Sequence, residues 1–392
     1  MLYLRKVLSE YPYSTYKNNF IFRLKTAIKI FLVKNKKNKK IDYINYKYIF
    51  YVNGYGHYLR ALEFKKSILK KVKNDHVLMV INTNDKKIIN SLSVDSKHMI
   101  KFGVILQKSE YRQMIYCLFI FVFLNKFKCL LNALIIYKKG VSNYFKNNDH
   151  IVNKYNINLI SFNDQPIDIS ILESIFKEHH IVKKSIVYQH GIIGAHQFYF
   201  PSKSDYFYGY SKNNDVINYF QAHNRYNTKF YDVGNLKYQK KYQKVIKRES
   251  RQAALIILTP GWNFFLKTIK TINKNERKSY KYFLRFHPSM KLLNLAKILT
   301  RFYGLPVDEN PEVSFETFDI VITEVSTVGL EALSEGVPIA ILTDLNYEIP
   351  YYFHSKHIPK IKAINQDTLK YAINLSCKNK EEILILLKEY FG

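Results

Sequence analysis

Short strings of reactive residue types stand directly after apolar runs in this chain. Gly54-Tyr55-Gly56-His57 follows Tyr46–Val52, a run rich in β-favouring residues. Glycines there permit a sharp strand-to-helix turn, and the helix that follows presents free N–H groups to an anion or a sugar hydroxyl. Gly54 and Gly56 form that turn, and His57 stands where a general base can sit, or is a turn histidine without chemistry. The string is not a full G-x-G-x-x-G, and no acid follows about twenty positions on, which disfavours a dinucleotide site. Tyr188-Gln189-His190-Gly191 and Asn163-Asp164 end two further apolar runs in the same manner. Open α/β sheets bind ligands at such strand ends. His190 is a polar group for that edge or a structural loop histidine; Asp164 can act as a base or orient a histidine.

The second half repeats the arrangement. Arg285-Phe286-His287-Pro288 closes a run in which Pro288 forces the chain out of the strand, and both Arg285 and His287 can donate to phosphate oxygens. The string from Thr323 to Pro338 reads strand, polar turn, helix, Gly-Val-Pro, strand. Ser326 and Thr327 fall at the helix start, where hydroxyls and backbone N–H groups can hold a phosphate, or Ser326 simply caps the helix. Glu331 lies on the first turns, within reach of a ribose diol. Thr259-Pro260-Gly261-Trp262 repeats the strand-then-glycine geometry, and Trp262, the only tryptophan, can stack on a base or pack in the floor of a cleft.

The elements that must position these groups alternate between strand and helix from residue 43 onward. Expected strands are 46–52, 76–81, 99–106, 158–162, 185–189, 205–208 and 230–233, with helices at 63–72, 110–148 and 171–179. A basic, polar stretch at 236–252 then reads as a linker. Strands follow at 254–259, 282–286, 319–323 and 338–342, with helices at 291–303, 328–335 and 366–391. Two successive βα arrays predict an α/β fold of two Rossmann-like domains facing across a cleft. The expected divisions are a basic amphipathic extension at 1–42, an acceptor domain at 43–240, a donor domain at 241–365 and C-terminal helices at 366–392.

The chain has 392 residues, which suits two domains, and 47% hydrophobic with 23% charged residues excludes a wholly disordered or collagen-like chain. Three scattered cysteines cannot build a disulfide framework or a Cys-x-x-Cys zinc site, so a reducing compartment is expected. No Asp-x-Asp string is present, and neither a metal nor another cofactor is expected. Sixty-one basic against thirty-one acidic residues leave a net charge of +30, which favours anionic surroundings. The basic residues are spread along the chain without a recognised RNA or DNA motif, so nucleic acid is not the expected partner. No secretory signal is visible. The longest apolar stretch, the eleven residues Met114–Leu124, is too short to cross a bilayer and reads as a buried or interfacial helix.

Residues 1–42 carry eleven basic and two acidic residues. Phe20–Val33 has apolar residues at helical spacing, and five lysines follow between positions 34 and 40. Such a segment suits an anionic membrane surface, or is a helix packed on the main domain with a solvated linker. A cytoplasmic protein peripheral to the inner membrane is the expectation.

Taken together, the strings over 43–392 resemble GT-B-fold glycosyltransferases, specifically bacterial capsule and lipopolysaccharide enzymes. Gly54–His57 resembles their Gly-x-Gly-His acceptor-domain loop. His287-Pro288 followed by Ser326-Thr327 is similar to the motifs of bacterial sialyltransferases and polysialyltransferases, Kdo transferases and CDP-glycerol glycerophosphotransferases. The resemblance implies donor contacts from Arg285, His287, Pro288, Ser326, Thr327, Gly261 and Trp262, with Glu331 on the ribose. It implies a nucleotide-sugar donor, best a CMP-linked nonulosonate or Kdo-type sugar, and a glycan or lipid-linked glycan acceptor. The acidic-acidic-Gly motif that supplies the base in sialyltransferases is absent, so His57, Asp164 or His190 takes that role. A CDP-glycerol polyol-phosphate transferase and a UDP-sugar 2-epimerase are the alternatives within the fold.

Overall fold

In a computed structural model of the chain, the described residues are 20–31, 43, 45–70, 72–83, 88, 98–145, 156–163, 167–189, 204–210, 214–224, 226–234, 246, 252–258, 262–272, 280–287, 290, 292–308, 314–324, 326–342 and 356–391. They divide into two compact units, each built on its own parallel sheet. The α/β expectation of two Rossmann-like parts therefore stands.

The first unit contains α1 (Phe20–Phe31), β1 (Tyr48–Val52), α2 (Tyr55–Ser67), β2 (Val77–Ile81), β3 (Met99–Lys101), α3 (Lys108–Leu124), α4 (Phe127–Phe145), β4 (Ile157–Ser161), α5 (Ile167–Glu178) and β5 (Val182–Tyr188). Strands β6 (Tyr206–Gly209) and β7 (Lys229–Asp232), with α6 (Asn214–His223) between them in the chain, complete the order β3-β2-β1-β4-β5-β6-β7. Pairs from β3 through β6 are parallel. Every residue of β2 is buried, as is the apolar run of β1 after Tyr48. That is the signature of strands covered on both faces, where alternation disappears. Ile49, Tyr51, Leu78, Val80 and Leu159 share one core with α1, α3, α4 and α5.

The second unit runs β8 (Ala253–Ile257), α7 (Trp262–Thr271), β9 (Lys281–Arg285), α8 (Leu293–Phe302), β10 (Ile320–Thr323), α9 (Thr327–Ser334), β11 (Ile339–Leu342), β12 (Lys360–Ile361), α10 (Gln366–Lys378) and α11 (Lys380–Phe391). Its sheet has the order β12-β11-β10-β8-β9, with every pair parallel. In the first sheet the strand order reverses between β1 and β4, and in the second between β8 and β10. Such reversals open a crevice at the carboxyl ends of the strands.

Two findings differ from the sequence expectations, and a third selects between two of them. The helical stretch 110–148 is two helices, broken at Asn125, whose φ of 53° ends α3 in the left-handed region that asparagine tolerates. The C-terminal helices are not a separate piece, because Leu369, Ala372 and Ile373 of α10 join the core of Ala254, Ile256 and Ile320. Helix α1 packs on the first unit: Ala27 and Ile30 are buried in its core, and Arg23 Nε donates to Val122 O at 3.0 Å. Val122 lies in the last turn of α3, where carbonyls lack helical partners, so Arg23 satisfies one of them. The lysine run at 34–40 lies outside the described residues.

Candidate active site

At the reversal of the first sheet, β1 ends at Val52 and α2 begins only three residues later. Gly54 makes this possible. Its φ of 114° with ψ of 167° is a conformation that L side chains rarely adopt, and it serves as the N-cap of α2 with no side-chain bond to the first turn. Gly56 and His57 therefore stand inside the first turn of the helix rather than in a loop before it. A Cβ built on Gly56 meets nothing within 4 Å, so the first turn faces open space there.

His57 rests on an aromatic bed. Its ring centroid lies 5.4 Å from that of Phe162, the residue directly after β4, and Phe162 in turn meets Phe50 at 6.4 Å and Tyr188 at 6.3 Å. The Phe162 ring, itself packed against Phe50 of β1 and Tyr188 at the end of β5, thus supports the imidazole at the reversal. Asn163 and the buried Gln189 close β4 and β5 at the same edge. Asp164 and His190, the other two candidates for the base, lie outside the described residues.

The second sheet presents a different edge. Its registers place Arg285, Ile257 and Thr323 in one row across β9, β8 and β10. With parallel strands ~4.8 Å apart, the chains leaving β9 toward His287 and β10 toward Ser326 depart roughly 10 Å apart, either side of β8. Ser326 is the N-cap of α9, and its Oγ accepts from the Val328 N–H at 3.2 Å. Capping thus occupies an acceptor lone pair, while the O–H proton remains able to donate. Thr327 opens the helix and Glu331 follows at i+4, which puts both on one helix face. The side chain of Thr327 and all of Pro288 and Gly261 lie outside the described residues. Helix α9 closes with Gly336 at φ 80°, and Val337 N donates back to Ala332 O at 3.0 Å. A left-handed residue here suits glycine and returns the chain into β11.

His287 keeps an exposed surface, yet the protein packed around its ring lowers its pKa below 6.5 by desolvation. Trp262 packs edge-on against Phe265 at 5.4 Å, and Phe265 meets Phe286 at 5.7 Å. The indole, half-buried, is therefore part of the floor that carries the His287 segment.

Arg285 is engaged within the second unit. Its Nε and Nη2 lie 2.8 and 2.5 Å from Asp308 Oδ2, and its guanidinium stands 5.0 Å over the Phe315 ring. Both partners of the ion pair are largely buried. A guanidinium drawn inward by a carboxylate and a ring face has a structural role in holding the end of β9.

Other buried polar groups escaped sequence reasoning. Glu324, 5% exposed, immediately follows β10, and Thr323 Oγ1 beside it is buried with no hydrogen-bond partner among the described residues. At the end of β2, Asn82 Nδ2 donates to Tyr51 OH at 2.7 Å and to Asp168 Oδ2 at 2.9 Å, while Tyr137 OH reaches Asp168 Oδ1 at 3.5 Å. Burial first, and then the Asp168 charge, push the Tyr51 and Tyr137 pKa values well above 10. Glu173, also buried, accepts from Ser185 Oγ at 2.6 Å and pairs with Lys177 at 2.9 Å, tying α5 to β5. The acid after the run Ile320–Thr323 was visible in sequence; the other networks join residues far apart in the chain. Among the described residues no group of three His, Cys, Asp or Glu side chains is placed to hold a metal ion.

No protein-family model matches the sequence, and no curated protein is similar to it in sequence. Solved structures are similar to it at low identity. UDP-GlcNAc 2-epimerase from Neisseria meningitidis, bound to UDP-GlcNAc, is 12% identical over 88% of this chain and 96% of that one, with a TM-score of 0.48. The glycotransferase of kitacinnamycin is 12% identical over 88% and 96%, with a TM-score of 0.47. TarM of S. aureus, in complex with fondaparinux, alpha-GlcNAc-glycerol and UDP, is 13% identical over 88% and 97%, with a TM-score of 0.47. These likenesses assign neither substrate nor reaction.

Proposed function

We propose that the chain is a GT-B-type glycosyltransferase that moves a sugar from a nucleotide-sugar to a hydroxyl of a growing bacterial surface glycan, at the cytoplasmic side of the inner membrane. The observation that carries this reading is the edge of the second sheet. There a serine-capped helix start on β10, with Thr327 and Glu331 on one face, stands two strands from His287. Phosphate oxygens fit the helix N-terminus and the hydroxyls, and a ribose diol fits Glu331.

In the reaction, the acceptor hydroxyl oxygen forms a bond to the anomeric carbon while the bond from that carbon to the donor phosphate oxygen breaks. The nucleotide departs with the electron pair. His287, Ser326, Thr327 and the α9 dipole stabilise its developing charge. The acceptor proton goes to His57, with Asp164 and His190 as the other candidates. The proposed donor is a CMP-linked nonulosonate or Kdo-type sugar.

The test is a thermal-shift screen of CMP-, CDP-, UDP- and GDP-linked sugars, in which stabilisation grows with occupancy of the true donor. Conversion of a UDP-sugar with no acceptor present supports an epimerase instead. The true donor also gives a pH signature. An imidazole that gains a phosphate partner has its pKa raised on binding, so donor affinity strengthens as pH falls from 7.5 toward the depressed free-state value of His287. His287→Ala flattens that dependence. A dependence unchanged in the variant removes the phosphate from His287.

A further inference from the structure

We infer that the joint outer face of α1 and α3 docks the protein on an anionic lipid bilayer surface. The inner face of α3 is core: Met114, Cys117, Leu118, Phe121 and Val122 are buried. Its outer face is no less apolar. Tyr116, Phe119, Phe123 and Leu124 are each between 56% and 66% exposed. Phe119 and Phe123 lie with ring centroids 4.5 Å apart, and Phe20 of α1 joins them at 5.9 Å from Phe123, so the exposed rings form one continuous surface across the two helices. A soluble surface rarely gathers such side chains into one patch.

The charges around the rings select the occupant. Arg112 lies one turn before Tyr116 on the same stripe of α3, and Lys126 and Lys128 follow the helix; all three are exposed. Neither α1 nor the outer face of α3 supplies a compensating acid. The one acid of α3, Glu110, is engaged by Lys139 at 2.6 Å and by the Gln107 N–H at 2.9 Å. Rings flanked by cations at both ends match a bilayer whose headgroups are anionic and whose interface accepts aromatic side chains. A second copy is disfavoured as the occupant, because a self-complementary contact would bring like charges together. The docking element is then α3 with α1 as its brace, rather than the N-terminal extension alone. This inference goes beyond the transferase reading and does not rest on it, since no sugar substrate enters its test.

The experiment is co-sedimentation of the full chain with phosphatidylglycerol/phosphatidylcholine vesicles and with phosphatidylcholine vesicles. Wild type is expected to prefer the anionic vesicles, and more weakly at high salt. F119S/F123S is expected to lower affinity for them at least about tenfold. K126E/K128E is expected to lower it by about fivefold or more per lysine. All four positions are exposed, so the thermal midpoint stays near that of wild type. L295S/F302S, on the exposed apolar stripe of α8, is the control and leaves binding unchanged. Wild-type binding by F119S/F123S, or equal loss in the α8 control, overturns the inference. So does a concentration-dependent dimer that F119S/F123S abolishes in a protein that ignores vesicles.

Discussion

The two sheets reach the same architectural point by opposite means. Each launches a helix from a strand beside its order reversal, α2 after β1 and α9 after β10. The first does so with backbone freedom: Gly54 turns the chain, caps α2 without a side-chain bond, and leaves Gly56 facing open space. The second does so with side chains: Ser326 caps α9, with Thr327 next and Glu331 below it. The surroundings differ in kind as well. His57 lies on the Phe162 ring at the reversal of the first sheet, whereas His287 follows β9, the outer strand of the second, and keeps an exposed surface. A glycine turn over an apolar bed admits the close approach of a bulky neutral group and holds a single titratable nitrogen in place. A hydroxyl-capped helix start with an imidazole two strands away suits a small anion. The difference teaches that one αβ plan can launch a helix through backbone freedom or through a side-chain cap, and the proposed division of labour, a proton accepted at the first edge and a phosphate held at the second, can be broken one half at a time.

The largest effect is expected from His57→Ala. If the first edge supplies the base, turnover falls by about 10²–10⁴-fold while nucleotide-sugar affinity stays at the wild-type value. Steady-state kinetics beside calorimetric donor titration measure both quantities. A loss of donor affinity with turnover preserved reverses the assignment of the two edges.

Next in size is the ion pair under the second edge. Asp308→Ala leaves the Arg285 guanidinium buried without its carboxylate and is expected to cost about 3–5 kcal/mol in urea unfolding. Donor affinity of the folded variant remains unchanged, because the pair supports the sheet end rather than the ligand. Loss of donor affinity without loss of stability assigns Arg285 to the phosphate instead.

Gly54 and Gly56 sharpen the contrast within the first edge. Gly54→Val forces a β-branched residue to φ 114°, at an expected cost of about 1–3 kcal/mol. Gly56→Ala finds regular helix and open space, so thermal stability is kept, but the added methyl occupies the surface over the first turn. Reduced acceptor turnover in Gly56→Ala at full stability marks that surface as the approach path. Equal destabilisation by the two substitutions denies Gly54 its special role.

Much of this architecture was legible in the sequence, for a physical reason. Buried parallel strands are unbroken apolar runs, so β2, β8 and β10 stand within a residue or two of where composition puts them. The start of α2 was misplaced by eight residues because glycines read as loop, whereas Gly54 alone completes the turn and Tyr55 already begins the helix. Helix α7 was missed behind its Pro-Gly opening, and α6 in a polar stretch that reads as loop. The two-residue β12 is too short to leave a pattern. Side-chain partnerships were the least legible. Asp308 lies 23 residues from Arg285 and Asp168 lies 86 from Asn82. Nothing in local spacing reports which carboxylate will claim a guanidinium once the sheet forms. The split character of α3 is half visible: its apolar run reads as buried or interfacial, and in the fold one face is buried while the other is exposed.

Ser326 gives the smallest expected effect on stability and the finest cut between the two edges, because capping and phosphate binding make different demands on one side chain. Ser326→Ala removes the oxygen that accepts from Val328 N and is expected to cost about 1 kcal/mol, read from the thermal midpoint. It also removes the hydroxyl proton that donates to a phosphate. Ser326→Asp separates the two roles. Aspartate caps as well as serine and favours the positive end of the helix, so stability is held or raised. Its carboxylate has no proton to donate and repels a phosphate at the same place. Donor affinity is therefore expected to fall further in Ser326→Asp than in Ser326→Ala, while stability moves the other way. Under the opposite arrangement, with the phosphate received at the glycine turn of the first sheet, both variants bind donor as wild type does and only the cap is felt.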